Sequence, residues 1–165
     1  MYISKNIKKK IFSKETIITL LVILFTYSFD RITKIVIIDH QLNDQSIFIN
    51  DYLNFELVWN SGIGFGLFSQ DATLYYHLIS LVIFFVIFFL IYLTIKANFG
   101  EKILFSLILG GAIGNLHDRF LFFAVPDFID FHINHFHWFT FNVADIFITL
   151  GIISVIVKDL IQKKK

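Results

Sequence analysis

The chain has 165 residues, 56% of them hydrophobic and 22 of them phenylalanine, and a soluble domain of this length has too little interior to cover that much apolar surface. The lack of cysteine excludes disulfides, thiolate metal sites, a cysteine nucleophile and a lipid anchor on cysteine. A net charge of +1 says little as a sum, but its distribution along the chain is informative.

One integral membrane domain over residues 1–165 is expected, since no linker, low-complexity tract or internal repeat divides the sequence. Crossing a bilayer takes about 20 predominantly apolar residues. The first such run, about residues 17–38, follows Lys5, Lys8, Lys9, Lys10 and Lys14. It ends in Ser28-Phe29-Asp30-Arg31 with no small-x-small cleavage pattern, so it reads as a retained helix rather than a cleaved leader. Asp30 and Lys34, four apart with the acid first, share a helix face in the favourable order. They are expected to neutralise each other and fix this helix against its neighbours.

The external segment, about 39–73, carries no Lys or Arg. Within it Leu53, Phe55, Leu57 and Trp59 alternate with Asn54, Glu56 and Val58, the period of a half-buried strand. Asn60-Ser61-Gly62-Ile63-Gly64 then breaks the pattern as a turn. That glycine-rich stretch lacks a following Lys-Ser/Thr, so it does not read as a phosphate loop.

The second apolar run covers about 74–95 and the third about 103–123. Gly110-Gly111-Ala112-Ile113-Gly114 in the third offers small residues for close helix packing. The run closes in Asn115-Leu116-His117-Asp118-Arg119. Asp118 is read as snorkelling or as part of a local ion pair, and Arg119 as snorkelling, holding a loop carbonyl or holding a catalytic neighbour.

A second external segment, about 124–140, holds Asp127, Asp130, His132, His135 and His137 beside Phe136, Trp138 and Phe139. With no His-Glu-x-x-His motif it reads as an aromatic interfacial loop, and no metal is expected there. The fourth run, about 141–161, opens with Phe141-Asn142-Val143-Ala144-Asp145.

Lysines orient these runs. They stand before the first, between the second and third (Lys96, Lys102) and after the fourth (Lys158, Lys163, Lys164, Lys165). The positive-inside rule therefore places both termini and the middle loop in the cytoplasm. Asp30, Lys34, Asn115, Arg119, Asp127, Asn142 and Asp145 then converge on the outer face.

Taken singly, Asp127 is a loop carboxylate and Asp145 a favourable anion in the first turn of a helix. Together, beside Asn115 and Asn142, they form a pair able to share a proton and activate water. Serine chemistry is disfavoured, because there is no Gly-x-Ser-x-Gly elbow and the external segments lack a lysine other than Lys34. A proton-coupled transporter is the rival, but it calls for polar residues throughout the bilayer depth, and the second and fourth runs lack them below the outer edge.

Five blocks carry a resemblance. They are Asp30-Arg31-Ile32-Thr33-Lys34, Trp59-Asn60-Ser61-Gly62-Ile63-Gly64-Phe65, the stretch from Gly110 to Arg119, Val125-Pro126-Asp127-Phe128 and the stretch from Phe141 to Asp145. In this order the chain resembles lipoprotein signal peptidase, the bacterial membrane aspartic protease also called signal peptidase II. The resemblance implies an all-α membrane fold of four transmembrane helices with a small extended or β segment between the first and second.

It also implies Asp127 and Asp145 as the catalytic dyad, Asn60, Gly62, Asn115, Arg119 and Asn142 as residues that line or brace the site, and Asp30 and Lys34 as structural support. Arg31, His117 and Pro126 depart from the usual family pattern, and Asp130 is a rival to Asp127. The implied substrate is a prolipoprotein whose cysteine already carries diacylglycerol, cut before that cysteine in the bacterial cytoplasmic membrane. No cofactor, metal or nucleic acid is expected. Membrane lipids are, and so is a monomer.

Overall fold

A computed structural model describes residues 13–40, 46–62, 72–134 and 136–163. Among these stand four helices: α1 (Lys14–His40), α2 (Ala72–Lys96), α3 (Phe99–Phe122) and α4 (Val143–Gln162). Four strands accompany them: β1 (Ile47–Asn50), β2 (Leu53–Asn60), β3 (Val125–Ile133) and β4 (Phe136–Phe141). The protein is thus mostly helical with one small antiparallel sheet, of order β1-β2-β3-β4. The terminal lysines Lys5, Lys8, Lys9, Lys10, Lys164 and Lys165, the turn from Ile63 to Phe65, and His135 lie outside the described residues.

Helix α3 is central, packing against α1, α2 and α4. Its glycines allow this. A Cβ on Gly110 would sit 2.8 Å from the Ile23 carbonyl oxygen of α1, and one on Gly111 would sit 2.7 Å from the Ala144 carbonyl oxygen of α4. The small-residue stripe is therefore where neighbouring backbones come closest. On the α2 side the contact is apolar, with Ile87 and Leu90 against Ile108, Leu109, Ala112 and Leu116.

The outward faces are apolar too: Leu20, Leu24 and Phe25 of α1, Val82, Phe85 and Phe89 of α2, and Ile153 and Leu160 of α4 are all exposed. Tyr76–Lys96 and Phe99–Phe122 are each long and apolar enough to cross a membrane. Only 17% of the apolar window in Tyr76–Lys96 is covered by protein, unlike the core helix of a soluble domain. Helices α1 and α4 carry more charge, with Asp30, Arg31 and Lys34 in one and Asp145, Lys158 and Asp159 in the other.

Three expectations are corrected. Residues 124–140 are no loop: β3 and β4 form a hairpin that supplies half of the sheet. The first half of β3 is buried throughout rather than on alternate residues, and its partner β2 lies far away in sequence, so no period of two marked it. Phe141 ends β4 instead of opening the last helix, which starts at Val143. Finally, a bulge between Phe55 and Val58 changes the phase of β2. Phe55 and Leu57 pack inward beside Ile37, Phe128 and Val143, whereas Trp59 is exposed and lies against Phe122 at 5.3 Å between ring centroids.

Candidate active site

Asp127 is the third residue of β3, 3% exposed, and pairs across the sheet with Val58. Two side-chain amides hold its carboxylate. Asn60 Nδ2 donates to one oxygen at 2.8 Å and Asn142 Nδ2 to the other at 2.6 Å. Burial pushes its pKa up from 3.8 to about 6, against the two amides, which favour the charged form; the neighbouring Asp145 adds to the rise.

Asp145 comes from the start of α4. Asn142 caps that helix, its Oδ1 accepting from the Asp145 amide at 3.0 Å while Asp145 Oδ2 accepts from the Asn142 amide at 3.2 Å. This is a capping box with acidic and amide partners. The other Asp145 oxygen accepts from Asn115 Nδ2 at 2.9 Å. Asn142 is fully buried, and its one side chain therefore touches the backbone of one aspartate and the carboxylate of the other.

Behind the pair lies a cluster of charges. Lys34 Nζ uses all three of its donors, to Asp30 Oδ2 at 2.8 Å, Asn115 Oδ1 at 2.8 Å and Asp118 Oδ2 at 2.7 Å. Arg31 pairs with the remaining oxygen of Asp118. The second oxygen of Asp30 accepts from the Ala144 amide at 2.8 Å, in the first turn of α4, where the helix dipole also favours an anion. Gly114 makes room for Asp30, since a Cβ there would sit 2.6 Å from Asp30 Oδ2.

Arg119 and Gly62 occupy the flank. The guanidinium lies 5.7 Å above the centroid of the Tyr76 ring and donates to the Ser61 carbonyl at 3.4 Å, while the Arg119 carbonyl accepts from the Tyr76 hydroxyl. Gly62 adopts φ +83°, a conformation that favours glycine, and a Cβ on it would lie 3.0 Å from Arg119 Nη2, so a side chain there would have to displace the guanidinium. Asn60 Oδ1 accepts from the Gly62 amide at 2.7 Å, which leaves its Nδ2 for Asp127.

The structure thus joins Asp127, Asn142, Asp145, Asn115, Lys34 and Asp30 in one hydrogen-bonded chain, with Asn60 at its end and Gly62 and Arg119 beside it. Asp130, the rival carboxylate, bonds elsewhere, to His137 Nδ1 at 2.8 Å. Sequence reasoning missed the place of Asp118 in the cluster. Its position three residues after Asn115, on one helix face, was the available signal. Tyr76 was also missed, and nothing in its sequence neighbourhood marked it. Chemically, two carboxylates linked through one residue, Asn142, whose side chain donates to Asp127 and whose backbone N–H donates to Asp145, offer an acid–base pair, and the raised pKa of Asp127 suits it to exchange a proton with water.

Known proteins bear on this site. The family model for signal peptidase (SPase) II matches residues 20–161. The lipoprotein signal peptidase of Pelagibacter ubique (strain HTCC1062) is 44% identical over 158 residues, covering 94% of this chain and 95% of that protein. That of Anaplasma phagocytophilum (strain HZ) is 36% identical over 155 residues, covering 92% and 97%. A solved bacterial membrane enzyme superimposes with a TM-score of 0.73 at 31% identity, covering 86% of this chain and 92% of that one. Matched along nearly its whole length, the chain belongs to the signal peptidase II family.

Proposed function

We propose that the protein is an aspartic endopeptidase that removes the signal peptide from diacylglyceryl-modified prolipoproteins, with Asp127 and Asp145 as its catalytic dyad. The observation that carries this reading is the Asn142 side chain, which bonds to both members of the pair. One ionised carboxylate takes a proton from water as the water oxygen attacks the carbonyl preceding the lipidated cysteine. The other, protonated, donates to the carbonyl oxygen. Collapse of the tetrahedral intermediate breaks the C–N bond as the proton held by the first carboxylate passes to the leaving amine and one hydroxyl of the intermediate returns a proton to the second carboxylate. A pKa near 6 on Asp127 suits a group that must both take and give a proton near neutral pH.

Substrate placement follows from the surroundings. A groove of ≈ 430 Å³ between α2, α3 and α4 is lined by Ile83, Val86, Leu90, Phe105 and Ile152, with Asn115 at its polar limit. An apolar groove that ends at the residue bonded to Asp145 suits an acyl chain or the hydrophobic stretch of a signal peptide, with the scissile bond delivered to the dyad. Four spans with both termini cytoplasmic put that end at the outer leaflet of the bacterial cytoplasmic membrane. Asn60 and Asn142 hold Asp127, Arg119 and Gly62 shape the flank, and the monomer suffices because every member of the network comes from one chain.

The test is cleavage of a diacylglyceryl-prolipoprotein by the purified protein in detergent, with the new N-terminus identified by mass spectrometry. Cleavage before the lipidated cysteine is expected. Asp127→Asn and Asp145→Asn are each expected to slow it by at least about 10²-fold, the lower end of what acid–base groups contribute. Asp130→Asn is expected to cleave normally. Loss in Asp130→Asn with activity kept in Asp127→Asn would move the first catalytic position.

A further inference from the structure

The β3–β4 hairpin gathers a second group of titratable side chains that the proposed reaction does not use. Asp130, His132 and His137 bring one ligand atom each to within 4.8 Å of one another. His137 Nδ1 lies 2.8 Å and His132 Nδ1 3.3 Å from the same carboxylate oxygen, Asp130 Oδ2. The two imidazoles stack at 5.3 Å between centroids, because His132 and His137 pair directly across the hairpin. A bulge between Phe131 and His132 adjusts the strand at this point, and Asp130 and His132 are both buried, at 2% and 7% exposure.

A histidine–aspartate hydrogen bond alone leaves this group incomplete. Among the described residues, Asp130 Oδ1 and His132 Nδ1 are buried without a hydrogen-bond partner. Buried polar atoms rarely stay unmatched. A single electrophile placed between the two imidazole nitrogens and the carboxylate would answer the His132 orphan and use the geometry already present. Ligands at about 2.0–2.1 Å in a tetrahedral site stand about 3.3 Å apart, close to the separations seen here.

We propose that Asp130, His132 and His137 form a binding site for a divalent transition-metal ion, with zinc as the best fit. Two imidazoles and one carboxylate suit zinc, whereas calcium and magnesium call for more oxygen ligands. The metal replaces the proton between His137 Nδ1 and Asp130, and that proton moves to solvent or to Nε2. His137, with a side chain 53% exposed, gives the ion its way in, and the fourth position stays open to water. The site clips β3 to β4 beyond Asp127 and takes no part in the hydrolysis, so it stands whether or not the protease reading does.

The experiment is calorimetric titration of chelator-stripped, full-length protein in detergent with zinc chloride alone, followed by cobalt chloride as a spectroscopic probe. One zinc per chain is expected, with cobalt giving the intense visible bands of a four-coordinate site. His137→Ala, truncated at a half-exposed side chain and so expected to fold, should bind at least about tenfold more weakly, because even residues behind a metal ligand matter by that factor. His40→Gln, on an exposed residue of α1, should bind as the wild type does. No stoichiometric zinc, a weak six-coordinate cobalt spectrum, or equal affinity in wild type and His137→Ala would each overturn the proposal.

Discussion

Two groups of buried carboxylates sit side by side in this protein and are held in different ways. Asp30 and Asp118 are matched by Lys34 and Arg31, two anions against two cations, with Nζ of Lys34 saturated by oxygen. Asp127 and Asp145 have no ion-pair partner among the described residues; only the amides of Asn60, Asn142 and Asn115 reach their side-chain oxygens, apart from one backbone N–H. A carboxylate bonded on its oxygens to buried cations is fixed in place by those ion pairs. A carboxylate held by neutral donors keeps its place while its proton affinity rises with burial, as at Asp127. Asn115 joins the two groups, accepting from Lys34 and donating to Asp145. The contrast supports the proposal that the first group holds the helices and the second carries the chemistry.

The largest effect should come from breaking the matched cluster. Lys34→Met leaves Asp30 and Asp118 with one cation between them, and stranding a buried charge destabilises by about 3–5 kcal/mol. Thermal unfolding in detergent should show a sharply lower Tm, and a Tm within a degree or two of the wild type would contradict the structural role.

The amide-held pair makes a different prediction, in pH. The pKa of Asp127 is raised on folding, so its contribution to stability is fully present below 3.8 and is lost as pH rises to about 6. The shift corresponds to up to about 3 kcal/mol. The stability advantage of wild type over Asp127→Asn should therefore shrink between these two pH values and then level off. A pH-independent difference between the two proteins would count against a raised pKa at this position.

Smaller effects sharpen the same contrast. Asn142→Ala removes a helix cap worth about 1 kcal/mol. It also frees Asp127 from one donor, so cleavage should fall by more than the loss of folded protein explains. Gly62→Ala, which forces a methyl group against Arg119 at a positive φ, should raise KM or lower kcat while moving Tm only slightly. Glu15→Gln, which breaks an exposed pair with Lys102, should change stability by under about 1 kcal/mol and leave cleavage untouched.

Local features were legible in the sequence and distant ones were not. The helices announced themselves as long apolar runs, the Gly110–Gly114 stripe as a packing surface, and Asp30 with Lys34 as a pair one helical turn apart. The β3–β4 hairpin stayed hidden because its first half is buried on both faces, with Pro126 and Asp127 interrupting any alternation. The phase of Trp59 cannot be read from alternation, because a bulge leaves no local mark. Spacing alone suggests a local ion pair for Asp118, yet its partners lie on α1, more than eighty residues away. The aspartates and asparagines of the candidate site were singled out, but the double use of Asn142 needed the cap and the strand to be seen together. The histidines at 132 and 137 form no sequence motif, since Asp130 and His132 meet His137 only through the strand pairing of β3 and β4.

The most direct test measures turnover and Tm side by side, in one detergent, for wild type, Asp30→Asn and Asp127→Asn. The account predicts a crossed result. Asp127→Asn should lose cleavage by at least about 10²-fold and keep a Tm near that of the wild type at pH 7. Asp30→Asn should lose Tm, with its remaining folded fraction still cleaving. Cleavage by Asp127→Asn at close to the wild-type rate, or a fall in Tm large enough to explain its inactivity, would contradict the division between a cluster that holds the helices and a pair that does the chemistry.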